Sequence, residues 1–230
     1  MVKQNKKGGA ISLEHNSVLV LKSSFAKMNE FQMKIRNSVL KPYYAHEAAE
    51  GRFIFLDKGK IAKMLQQIAV DTIMQIDENG TLSYEEKIVQ WPGYKYTHFV
   101  LETMSCTVRG HEKQGWMHTA RCDILRYCFC QENERELLVY DIPFELLKEW
   151  FFKDNLFKRY YSTITNEINR TECKKVPIDD IMMNIKGCQS FLIRINEDER
   201  ISIRNICLWP CGINFNEIWV NSCQEKGRCF

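Results

Sequence analysis

No window of 18 uncharged apolar residues occurs in this 230-residue chain, so no membrane-spanning helix is expected. The opening segment MVKQNKKGGAISLEHNSVLVL is basic but lacks a sustained apolar stretch ending in a small-residue cleavage site. A secretory leader is therefore not expected, and the chain reads as cytoplasmic. No internal repeat and no linker-like Pro/Gly/Ser stretch divides it, and a single domain over 1–230 is the economical organisation. Ten cysteines are too few for a disulfide scaffold, so reduced thiols are expected. Cys128 and Cys130 lie in an apolar run and read as small buried hydrophobes. Cys207, Cys211, Cys223 and Cys229 lack the close pairs at both ends that mark a zinc ribbon. His98, His111 and His118 have no metal-binding helical spacing, and Cys106 has no nucleophile signature around it. A P-loop and a Gly-x-Gly-x-x-Gly turn are both missing, so no nucleotide cofactor is expected.

What is present is ordinary globular material: 45% apolar, 12% aromatic and 27% charged residues, enough to bury a core. Charge is unevenly spread. Residues 1–41 carry eight Lys/Arg against Glu14 and Glu30, and the remainder of the chain is net acidic. Such a basic arm and first helix suit a polyanion such as DNA, although a solvated helix face has the same composition.

Apolar spacing through Met28, Phe31, Ile35 and Val39 predicts a first helix, capped by Ser24 and stopped by Pro42. A short strand at 53–56 and a helix bearing Ile61, Met64, Leu65 and Ile68 come next. Three strands are expected from Ile68 to Ile76, Thr81 to Trp91 and Thr97 to Met104, parted by turn residues at 77–80 and 92–93. After a loop at 105–117, a short helix at 118–124 leads into strands at 124–130 and 137–140. A helix is expected to open at Pro143, and a hairpin to form from 190–195 and 201–209. The fold class is α/β or α+β, with a core over 1–150 and a C-terminal elaboration over 151–230 of unassigned role.

The chemistry lies in Asp71 on one strand and Glu85-Glu86-Lys87 on the next. Phosphodiester hydrolysis needs a hard cation held by carboxylates to polarise the phosphoryl oxygen and acidify the attacking water. A neighbouring lysine can orient that water and offset charge on the transition state. Two acids and a lysine suffice if they share a face. A two-residue Asn79-Gly80 loop would set Asp71 against Ile88, with Glu86 as companion acid. A three-residue loop, Glu78-Asn79-Gly80, sets Asp71 opposite Lys87 and Glu85 diagonal at roughly 7–8 Å. We take the odd-length register, which turns Glu86 away. An ion-paired solvated face is the plain alternative.

This Asp…Glu-x-Lys pattern resembles the active site of the PD-(D/E)XK nuclease superfamily, with Val70 standing where its motif has proline. Gly115-Trp116, followed by Arg121-Cys122-Asp123-Ile124, resembles a Gly-Trp…(Lys/Arg)-x-Asp segment of phage and mobile-element members. The resemblance covers about residues 57–140. It implies a restriction-endonuclease-like mixed sheet flanked by helices and a Mg²⁺-dependent nuclease, with Mn²⁺ as a substitute cation. Asp71 and Glu85 would hold the metal, Lys87 would position the nucleophile, and Glu102 is a candidate third carboxylate. Gln114, Trp116, Arg121 and Asp123 are candidate substrate-side residues. DNA is the implied partner, gripped by basic residues of positions 1–41 and by Arg109, Lys113 and Arg121; a homodimer would let such an enzyme cut two strands. A catalytically inert nucleic-acid-binding or phage accessory protein on the same fold is the competing expectation.

Overall fold

The computed structural model describes residues 27–56, 59–78, 80–90, 97–131, 133–153, 162–166, 170–198 and 200–206. Helix α1 covers 27–47 and includes a π-helical turn, Arg36–Leu40. Strand β1 is Phe53–Phe55 and helix α2 is Lys60–Gln66. Strands β2 (Thr72–Gln75), β3 (Thr81–Gln90), β4 (His98–Cys106) and β5 (Lys113–Gln114) precede helix α3 (Trp116–Thr119). Strands β6 (Ile124–Cys130) and β7 (Glu136–Pro143) run into helix α4 (Phe144–Phe152). Strands β8 (Ser162–Asn166) and β9 (Thr171–Pro177), helix α5 (Ile178–Asn184), and strands β10 (Gln189–Ile195) and β11 (Ile201–Asn205) complete the described chain. No helix among the described residues is long and apolar enough to cross a membrane.

The architecture is mixed α/β. A seven-stranded sheet has the order β1-β2-β3-β6-β7-β10-β11, and a four-stranded sheet has the order β5-β4-β9-β8. Pairing is antiparallel except between β3 and β6, which run parallel. The parallel step requires a crossover, and residues 97–119, with β4, β5 and α3, lie within it. The third expected strand, β4, therefore leaves β3 for the second sheet, where β9 is its main partner.

The large sheet is buried on both faces, so its strands alternate between two cores rather than between core and solvent. Tyr84 and Ile88 of β3, Cys128 and Cys130 of β6, and Leu137 and Val139 of β7 meet Ile35, Val39, Leu40, Tyr43 and Tyr44 of α1. Leu125, Tyr127 and Phe129 of β6 and Leu138, Tyr140 and Ile142 of β7 point the other way, towards Phe99, Leu101, Val176, Ile178 and Ile181. Cys128 and Cys130 are thus buried as expected, and the six described cysteines are free thiols. Cys207, Cys211, Cys223 and Cys229 lie outside the described residues.

Two local expectations are corrected. Pro42 does not stop α1. The π turn before it, closed by the Lys41 N–H on the Arg36 carbonyl, widens the helix where a residue lacks an N–H and its ring would clash with the preceding turn. Helix α2 docks through Ala62 and Leu65, leaving Ile61 72% and Met64 60% exposed. Of the expected apolar stripe Ile61, Met64, Leu65 and Ile68, Leu65 alone packs against the core.

Arg126 is the largest fully buried side chain and lies on the α1 face. Its guanidinium donates to both Asp141 oxygens, at 2.7 and 2.5 Å, and sits 4.4–5.8 Å from the ring centroids of Tyr43, Tyr44, Tyr84 and Phe191. Asp141→Asn removes the carboxylate hydrogen-bonded to it and strands a buried cation. Urea unfolding is expected to register a loss of about 3–5 kcal/mol.

Candidate functional site

Val70 is buried and leads directly into Asp71, whose backbone is held on both sides. The Asp71 N–H donates to the Tyr84 carbonyl at 2.7 Å, and its carbonyl accepts the Leu56 N–H at 2.8 Å. The β2–β3 register pairs Thr72 with Tyr84 and Gln75 with Thr81. It is two residues tighter than expected, so Asp71 comes up beside Glu85 instead of opposite Lys87. The shift is even, and side-chain facing survives it. Glu85 and Lys87 share one face of β3, and Glu86 takes the other.

Glu85 is almost wholly buried, its side chain 4% exposed. It lies near the Asp71 carboxylate and accepts a hydrogen bond from the Lys87 ammonium. Burial is the main force on its carboxyl, pushing it up to about 7; Lys87 pulls it down and Asp71 pushes it up. Burial works against the charge of Lys87, but Glu85, Asp71 and Glu102 outweigh it, and its net shift is upward. The Lys87 ammonium also lies 5.0 Å from the Trp116 ring centroid, over its face.

Glu102, on β4, completes the surroundings of Lys87. Burial raises its carboxyl against the opposing pull of Lys87 and of the nearby Trp116 backbone N–H. The corner at Gly115 makes this possible. A Cβ there would stand 2.5 Å from the Glu102 carbonyl oxygen and 2.9 Å from its Cγ, so only glycine lets the segment lie this close to β4.

Asp71, Glu85, Lys87, Glu102, Gln114 and Trp116 all line one open cleft of about 420 Å³. Arg121 and Asp123 do not line it. Arg121 is exposed, with its N–H on the Ile68 carbonyl and its guanidinium on the Ala120 carbonyl. Asp123 joins strands: its carboxylate accepts the Ser83 N–H at 2.8 Å and the Ser83 hydroxyl at 2.7 Å. His118 stacks on Phe152 with ring centroids 4.4 Å apart.

Sequence reasoning missed Gln32, Gln66 and Gln67, which also line the cleft, and Arg36, which it assigned to DNA contact. Arg36 is inside, with its guanidinium on Glu86 at 2.6 Å and 3.3 Å from Asp71. Glutamines carry no distinguishing sequence signal. The one available for Arg36 was its position one turn after Gln32 and on the flank of the Ile35–Val39 stripe.

The donor chemistry fits a hard divalent cation at Asp71 and Glu85. The Asp71 carboxylate disfavours the negative charge of Glu85, and a bound cation would relieve that repulsion. Among the described residues no three His, Cys, Asp or Glu side chains form a ready metal cluster. Mg²⁺ commonly takes one or two carboxylates and keeps water in its remaining positions, so two suffice.

Glu85 gives a signed pH dependence. Its folded value of about 7 stands above the ordinary 4.5, so the folded chain retains a proton that the unfolded chain releases between these values. In chelator, stability is expected to fall as pH rises from about 4.5 through about 7 and then to level off, with Glu85→Gln flattening the curve in urea unfolding. Gly115→Ala, which forces a side chain onto the Glu102 backbone, is expected to cost about 1–3 kcal/mol in the same assay.

Comparison with protein-family models, with curated proteins and with solved structures gave no match for this chain.

Proposed function

We propose that the protein is a metal-dependent nuclease that hydrolyses DNA phosphodiester bonds, built on a restriction-endonuclease-like core. The observation carrying this reading is the meeting of Asp71 and Glu85 in one cleft, with Lys87 hydrogen-bonded to Glu85. A mixed sheet flanked by helices agrees with such a core.

Asp71 and Glu85 hold Mg²⁺. When bound, that cation polarises a phosphoryl oxygen and acidifies the attacking water. Lys87 points into the same cleft and stays charged at neutral pH because three carboxylates surround it. It orients the water and offsets negative charge on the transition state. Trp116 backs the ammonium and Glu102 flanks it, which fixes the reach of a flexible side chain. The rim supplies neutral donors for phosphate and sugar oxygens from Gln114 and Gln67, and Lys113 is exposed next to Gln114 on β5.

The test is cleavage of linear, supercoiled and branched DNA with Mg²⁺ or Mn²⁺. Lys87→Ala is expected to lower the rate by about 10²–10³-fold, and Glu85→Ala to abolish cutting, with circular dichroism unchanged in both. Wild-type protein that binds DNA without cutting any substrate would instead mark an inert binding module. Unfolding of both variants would mark the Glu85–Lys87 pair as structural.

A further inference from the structure

We infer that Arg36 is a positioning residue for the cation site, reaching Asp71 from helix α1 through an anchor on Glu86. The inference rests on the metal-dependent reading above and deepens it.

Glu86 lines the cleft as a residue, but its side chain has no solvent exposure and lies on the α1 face of β3. It accepts three hydrogen bonds: from Arg36 Nε at 2.6 Å, from the Tyr44 hydroxyl at 2.6 Å and from the Thr72 hydroxyl at 2.7 Å. Both oxygens of this buried carboxylate are therefore hydrogen-bonded, which fixes its orientation. Arg36 is thereby held along one edge of its guanidinium, and its Nη2, a buried nitrogen that makes no hydrogen bond among the described residues, lies 3.3 Å from Asp71 Oδ1 as an ion pair. The other Asp71 oxygen, Oδ2, accepts the Glu86 backbone N–H at 2.9 Å. One oxygen of the proposed ligand is thus hydrogen-bonded by the Glu86 backbone, and the other is ion-paired with the arginine that the Glu86 side chain anchors.

Two features make this specific to arginine at this place. A planar fork can touch two carboxylates at once, whereas an ammonium is a point donor on a flexible stem. Arg36 also opens the π turn of α1, a helix irregularity that recurs at functional sites. Its guanidinium carbon lies 5.6 Å from the Phe55 ring centroid, which backs it from β1.

Electrostatics alone gives the opposite expectation. A positive charge 3.3 Å from a ligand oxygen repels an incoming cation, so removing it would tighten binding. A positioning role makes removal weaken binding, and the sign separates the two. The experiment is Mn²⁺ titration by calorimetry of full-length wild type, Arg36→Gln and Arg36→Lys, each first checked for folding in chelator. Outer-shell partners of metal ligands typically contribute 10–100-fold in affinity. Arg36→Gln is expected to lose about that much, and Arg36→Lys to lose affinity despite keeping its charge. Unchanged or tighter Mn²⁺ binding by folded Arg36→Gln would overturn the inference and leave the cation site standing. If Arg36→Gln does not fold, Arg36→Lys decides, and wild-type affinity in that variant overturns it. Absence of Mn²⁺ binding by wild type, matched by Glu85→Gln, would remove the cation site and this inference together.

Discussion

Three consecutive ionisable residues, Glu85, Glu86 and Lys87, sit in the middle of a sheet whose two faces are both covered. A buried charge is tolerated only with a partner and with its hydrogen bonds filled. Because strand side chains alternate, that demand is made on both faces at once. On one side Glu86 draws Arg36, Tyr44 and Thr72 around it. On the other, Glu85 draws Lys87 and Asp71. Helix α1 and the end of β2 are both tied to the same three residues of β3. The cleft lies where the second of these groups reaches the surface.

The two faces differ in how completely their charges are satisfied. Glu86 has three side-chain donors and no exposure, which suits a structural anchor. Glu85 has one cationic partner and one acidic partner, and its carboxyl is raised. Retaining a carboxylate against another carboxylate in a low-dielectric setting makes no sense as a stabilising device, because like charges at close range disfavour the ionised form. It does make sense for a site that gathers negative charge for a ligand. This contrast between adjacent residues is a stronger argument for function than the sequence pattern Asp…Glu-x-Lys, which an ion-paired surface would also satisfy.

Much of the local structure was legible. The bounds of β3, β6, α4 and β10 follow from apolar alternation, from the helix-opening Pro143 and from turn residues. The facing of Glu85 and Lys87 depends only on the parity of the β2–β3 connection, and parity is more robust than register. The register itself was set two residues too loose, because turn residues at 77–80 fit more than one hairpin. The departure of β4 to the second sheet was illegible: its alternation fits either sheet, and only the partner β9, more than 60 residues later, decides. The roles of Arg36 and Glu86 were hidden for a related reason. Their contact spans 50 positions, and in one dimension a buried arginine looks like a basic arm.

The crossover between β3 and β6 explains why the lysine is fixed as well as present. A parallel connection obliges the chain to leave the sheet and return, and this one lines the cleft with Gln114, Trp116 and Thr119. At Gly115 the absent side chain lets the returning segment lie against β4, close enough to bring the Trp116 N–H near Glu102. That approach delivers the indole to the face of Lys87. The ammonium is then bounded by an aromatic ring and by carboxylates on two strands of different sheets, Glu85 on β3 and Glu102 on β4. A lysine on a flexible stem contributes to catalysis only if its head is held, since ordering it otherwise costs side-chain entropy at each turnover. Here the topology of the crossover supplies that ordering when the chain folds.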